Sequence, residues 1–145
     1  MEFNVSNLKY FLALATIFTI LSPLAAKADC SALLITQEIR KIKMYRPIKI
    51  DDYNTLNDAN CENSILKYEF ILVDDLNVHW SEMKRVDLKA LYETHAGVVR
   101  RQYCSMPKMV AFHPFLKGAR FTYKTAMGKI LYEIEVANKD CGLEE

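Results

Sequence analysis

Apolar and polar positions alternate most clearly in two stretches of the chain. In ILKYEFILV, residues 65–73, Leu66, Tyr68, Phe70 and Leu72 fall on one face, and β-branched and aromatic residues dominate. That pattern predicts a strand. Its other face mixes Lys67 and Glu69 with Ile71 and Val73, as a partly covered surface would. In ARFTYKTAMGKILYEIEV, Phe121 and Tyr123 oppose Arg120, Thr122 and Lys124. Further on, Ile130, Tyr132, Ile134 and Val136 alternate with Leu131, Glu133 and Glu135. Gly128 between the two runs offers the positive φ of a tight hairpin. Basic residues outside one strand and acidic residues outside the next favour antiparallel pairing. A bulge at Gly128 would slip the register by one residue, so the register stays open.

A period near 3.6 governs the middle of the chain. Leu88, Leu91, Tyr92, His95, Val98, Val99 and Gln102 recur at helical spacing, which predicts a helix ending at Cys104. Asp87 suits its first turn, and Arg100 and Arg101 suit the negative end of its dipole. Leu33, Leu34, Gln37, Ile39 and Ile42 form a looser helical face that starts near Ser31 and stops before Pro47. Ser105 and Pro107 open a short helix with Met109, Phe112 and Phe115 on one side, and Pro114 ends regular helix by Phe112 or His113. Residues 47–64, rich in Asp and Asn, read as a loop, and residues 74–81 as a turn. The expected fold is therefore α+β in the order α-β-α-α-β-β: a small three-stranded antiparallel sheet with helices packed on one face.

The N-terminus departs from this pattern. A weakly basic start, MEFNVSNLK, precedes an apolar run over residues 10–25 and then Ala26-Lys27-Ala28. The run is shorter than the roughly 20 residues that span a bilayer, and the A-x-A site predicts a cleaved secretory signal over residues 1–28. An uncleaved anchor is the alternative. Lys27 and Asp29 set charges beside Cys30, which argues against lipid attachment there. Residues 29–145 would form a single exported domain, periplasmic or extracellular. The chain's formal charge of +1 includes Glu2, Lys9 and Lys27, so the mature part is formally neutral. Neutrality gives no support for nucleic-acid binding or a polybasic membrane patch, and nothing after Ala28 is long and apolar enough to span a membrane.

Cys30, Cys61, Cys104 and Cys141 all lie in the exported part. An even set in an oxidising compartment reads as two disulfides, and no C-x-x-C or zinc spacing is present. Pairing Cys30–Cys61 and Cys104–Cys141 brackets two self-contained segments; the nested pairing, Cys30–Cys141 with Cys61–Cys104, is the alternative.

Several short motifs then stand out: PIKID followed by NTL, LKYEFIL, YCSMP, and KGARFTYKTAMGKILYEIEV closed by Cys141. Together, from Pro47 to Cys141, they resemble a group of small exported bacterial proteins of unknown function, periplasmic or lipoprotein-like in character. The resemblance implies that Cys104 and Cys141 are a shared pair. This chain departs from the group in a longer gap between Asp51 and Thr55, in an extension around His113-Pro114, and in carrying Cys30 and Cys61.

Candidate chemistry is sparse. His95 sits on the apolar stripe of the main helix, where a histidine is most often a core residue. Asp74, Asp75 and His79 could converge on a metal, but acids before a helix are usually solvated caps. Asp51 and Asp52, beside Tyr53 and Thr55, suit an Asx turn or a recognition surface. No G-x-S-x-G elbow, phosphate loop or spare thiol appears. Aromatics at element ends, Tyr45, Tyr53, Trp80 and Tyr103, can anchor a partner or simply pack. The expected function is a non-catalytic exported protein that binds another exported or envelope protein, with no cofactor or metal, through a surface of Asp51, Asp52, Tyr53, Trp80 and Tyr103. The alternative is a small hydrolase or metal-dependent enzyme using His79 or His95 with nearby carboxylates.

Overall fold

The computed structural model of the protein describes residues 29–142; the expected signal, residues 1–28, lies outside the described residues. Helix α1, Leu33–Tyr45, ends at Arg46 and Pro47, because proline cannot continue the backbone ladder. Strands β1 (Ile48–Lys49), β2 (Asn54–Glu62) and β3 (Ile65–Leu72) follow. A 3-10 turn, Trp80–Glu82, leads into helix α2, Arg85–Ser105, and then the short helix α3, Pro107–Val110. A second 3-10 turn, His113–Phe115, delivers the chain to β4 (Gly118–Thr125) and β5 (Ile130–Ala137), and a third, Asn138–Cys141, closes it.

The α+β class and the helices on one face of the sheet agree with the pattern, but the sheet differs. It has five strands in the order β1-β2-β3-β4-β5, not three, and the element order becomes α-β-β-β-α-α-β-β. The extra strands come from the Asp/Asn-rich segment expected to be a loop. Its inward residues, Leu56, Ala59 and Cys61, are not evenly spaced, because a bulge between Leu56 and Asp58 inserts Asn57. The bulge breaks the two-residue period by which a strand is recognised. The polar residues are accommodated individually: Asn57 Nδ2 donates to Glu69 Oε1 at 3.0 Å, and Asp58 pairs with Arg46 at 2.9 Å. Asn63 and Ser64, both at positive φ, make the two-residue turn between β2 and β3, the conformation a tight hairpin requires.

The sheet is also mixed. β3 and β4 run parallel, with Tyr68 opposite Phe121 and Phe70 opposite Tyr123. The reason is the crossover through α2: one long helix carries the chain back to the end of the sheet from which β3 started. β4 and β5 form the expected antiparallel hairpin, Arg120 opposite Glu135 and Thr122 opposite Glu133, with the irregularity between Tyr123 and Lys124 rather than at Gly128. On the outer face Arg120 Nη2 reaches Glu135 at 2.9 Å, and Lys124 pairs with Glu69.

The inner face meets the helices in one core. Ile35 and Ile42 from α1, Val99 and Tyr103 from α2, and Phe112 and Leu116 beyond α3 are buried against Leu66, Tyr68, Phe121, Ile134 and Val136. The disulfides are Cys30–Cys61, tying the start of α1 to β2, and Cys104–Cys141, tying the end of α2 to the C-terminal turn. Asn138 binds that corner together: its Nδ2 donates to the carbonyls of His113 and Leu116, and its Oδ1 accepts from the Tyr103 hydroxyl at 2.7 Å.

Candidate binding groove

Helix α1 packs mainly over β2 and helix α2 mainly over β5, while His95 of α2 reaches the centre of the sheet, its ring 4.8 Å from that of Tyr123. A groove runs between the two helices. Its floor is aromatic, built from the stacked pairs Tyr68–Phe121 and Phe70–Tyr123, with ring centroids 5.5 Å and 5.0 Å apart. These residues were legible as an inward strand face. The parallel seam that brings two such faces side by side was not.

One wall is the apolar stripe of α2. Leu91, His95 and Val98 are only partly buried, while further along the helix Val99 and Tyr103 are buried completely. The stripe thus divides into a core-facing end and a groove-facing end. The other wall comes from α1, β1 and the turn after it, with Glu38, Ile50, Asp51 and Asn54. Two adjoining hollows, about 390 Å³ and 300 Å³, share Asp51, Asn54, His95 and Val98 and so form one elongated groove. At one end Glu38, with a side chain only 10% exposed, pairs with Lys108 of α3 at 2.6 Å. Tyr53, Leu72, Trp80 and Tyr132 frame the other end. A larger hollow of about 500 Å³, bordered by Arg85, Lys89 and Lys129, lies against the first turns of α2; it contains none of the anticipated residues.

Of the anticipated recognition residues, Asp51, Tyr53 and Trp80 come together around the groove. Asp52 points outward and pairs with Lys49 at 2.8 Å. Tyr103 does not belong to a surface: it is 1% exposed, and its ring packs 4.7 Å from that of His113. It was misread because a residue at a helix end looks exposed until the Cys104 disulfide and the closing turn cover it. Tyr45 is exposed and stands away from this groove. Glu38, Asn54 and Lys108, which sequence reasoning missed, meet only through tertiary packing, and no local signal marks them.

The polar groups of the groove are tuned by burial. Tyr68 and Tyr123 hold their protons well above the ordinary phenol range, and Tyr132 is pushed up to about 12, in each case chiefly by desolvation. Burial lowers the His95 pKa, so the ring is neutral at neutral pH. Its Nδ1 lies 3.1 Å from the Tyr132 hydroxyl, a phenol and not a carboxylate. His79 stands 3.9 Å from Asp74 at an exposed site. Among the described residues no three His, Cys, Asp or Glu side chains group as metal ligands. Two buried side-chain oxygens lack a hydrogen-bond partner and line the groove, Asn54 Oδ1 and the Tyr68 hydroxyl.

No protein-family model matches the sequence, nor does any curated protein. Solved structures do match in fold. A protein described as secreted, from Pseudomonas aeruginosa, aligns at 10% identity with a TM-score of 0.54, over 73% of this chain and 88% of that one. The pilotin EpsS of the type 2 secretion system of Vibrio vulnificus aligns at 13% identity with a TM-score of 0.52, over 74% and 88%. At such identities the likeness is one of fold.

Proposed function

We propose that this is an exported, non-catalytic accessory protein that holds a segment of another exported or envelope protein in the groove between α1 and α2. The observation that carries this reading is the apolar stripe of α2, whose Leu91, His95 and Val98 are left partly exposed along the groove above the half-buried Phe70. Burying such a surface against a partner is favourable, and a concave site flanked by rigid elements needs little reordering to bind. The two disulfides support residence in an oxidising compartment, as does the expected signal over residues 1–28. The similarity in fold to a secretion-system pilotin supports a role in assembly or secretion rather than turnover.

Site-specific photocrosslinking in cells tests it. A photoreactive residue at Leu91 or Gln102, on the groove side of α2, is expected to trap one protein adduct, and the same residue at Lys43 on the exposed side of α1 is expected to trap none. Absence of any adduct from the groove positions overturns the reading.

A further inference from the structure

We propose that the end of the groove framed by Tyr53, Trp80 and Tyr132 is a receptor for a basic side chain, arginine or lysine, on the partner segment. The inference rests on the partner-binding reading above and adds the chemistry of what is bound.

Three independent features meet there. The first is the aromatic frame. Tyr53 is 43% exposed. Trp80 is pinned at both its backbone and its ring: its N–H donates to Asp74 Oδ1 at 2.8 Å and its Nε1–H to the Val73 carbonyl at 3.0 Å. Aromatic faces held in this way attract a cation, and a partly desolvated site strengthens the attraction.

The second is charge. Two acids from separate loops, Asp51 and Asp75, meet at Tyr53, and Asp74 holds the neighbouring Trp80. Asp51 Oδ1 accepts the Tyr53 backbone N–H at 2.8 Å, and the Tyr53 hydroxyl is hydrogen-bonded to Asp75. The N–H groups of Asn77 and Val78 hold Asp75 below the usual carboxylate range, so it stays ionised. Lys49 answers Asp52 and His79 stands 3.9 Å from Asp74, but among the described residues no lysine or arginine forms an ion pair with Asp51, Asp74 or Asp75. Asp51 thus lines this end of the groove with Asp74 and Asp75 close behind Trp80 and Tyr53, and the ammonium of Lys129 is held on the Ser81 carbonyl at 3.2 Å.

The third is the side-chain carbonyl of Asn54, buried where this end joins the rest of the groove, with no donor. An unpaired buried acceptor is costly and calls for an N–H. An apolar side chain would leave it unpaired, a carboxylate would be repelled, and a neutral amide would gain nothing from the acids. A guanidinium or ammonium on an aliphatic stem meets all three requirements. Its stem can lie along Leu72, Leu91 and Val98, and its head can donate to Asn54 Oδ1 beside Asp51. A hollow of about 300 Å³ has room for such a chain.

Trp80 is the one tryptophan in the chain, so its fluorescence reports on this end of the groove alone. The probes are acetylated, amidated tetrapeptides Leu-X-Leu-Leu with X as Arg, Lys, Gln or Glu. The Arg and Lys peptides are expected to shift Trp80 emission saturably and to bind about tenfold more tightly than the Gln peptide, the Glu peptide binding most weakly. High salt and the variant Asp51→Asn, which keeps an acceptor for the Tyr53 N–H, should each erode that preference several-fold. Equal affinities for Arg and Gln, or no Trp80 response to any peptide, overturn the proposal. Crosslinked partner together with equal affinities defeats this inference alone. Arg selectivity without any crosslinked partner supports the receptor and defeats the broader reading.

Discussion

His95 Nδ1 and the Tyr132 hydroxyl, 3.1 Å apart, join helix α2 to the edge strand β5 across one wall of the groove. Burial favours the neutral imidazole, so the folded His95 pKa lies below the ordinary 6.5. Between those two values the unfolded chain binds more protons than the folded one. Stability is therefore full above about pH 6.5 and declines as the pH falls below it. The melting temperature of His95→Gln should vary less with pH over this acid window than that of the parent protein.

At the alkaline end the tyrosines act in the opposite direction. Tyr103 and Tyr132 are raised to about 12, and Tyr68 and Tyr123 further, against 10.0 for a free phenol. The unfolded phenols ionise first, so stability is lost as the pH rises past about 10. Tyrosinate absorbance should show these groups titrating late and together with loss of near-ultraviolet circular dichroism.

Tyr53 and Tyr103 should separate binding from folding. Tyr103→Ala empties a fully buried site and breaks the bond to Asn138, a loss of about 3–5 kcal/mol in chemical denaturation. Tyr53→Ala, at a 43% exposed position, should cost less than about 1 kcal/mol while weakening the partner crosslink.

Gly118 opens β4 where it passes very close to β5. A Cβ built there would sit 2.4 Å from the Val136 carbonyl oxygen, a backbone atom with little room to move. Gly118→Ala is expected to cost about 1–3 kcal/mol. Gly97→Ala, in the middle of α2 with only a flexible arginine nearby, should be neutral or stabilising. Paired urea titrations check both.

Replacing Cys104 and Cys141 together by Ser should lower stability by about 2–5 kcal/mol. The pair holds the turn that covers Tyr103 and seats Asn138. Hydrogen exchange should accelerate first at that corner, leaving the β2–β3 hairpin protected.

What could be read from the chain follows from how local each signal is. The β4–β5 hairpin and α2 were legible because Phe121, Tyr123, Ile134 and Val136 alternate and because Leu88 to Gln102 keep helical spacing. β2 was hidden because Asn57, one residue inserted, shifts every later side chain to the other face. Parallel pairing of β3 with β4 leaves no mark in either strand, since a crossover sets direction and not the residues that pair. The groove was legible only in part. Tyr53, Asp51 and Trp80 could be singled out as polar or aromatic residues at element ends, but their meeting with His95 and Asn54 depends on a helix that arrives from forty residues away, roughly the length of the crossover itself.

The order of the disulfides along the chain carries a consequence for biogenesis. Cys30 pairs with Cys61 and Cys104 with Cys141, so the partner of each first cysteine is the next one along the chain. Joining thiols in the order in which the chain delivers them would therefore give the native pairs without reshuffling. The vulnerable interval falls between the two closures. The β1–β3 meander is then already locked, but the long edge of β3 waits unpaired for β4. An unpaired apolar edge invites aggregation, so a chain halted between the two closures is expected to aggregate more readily than the finished one.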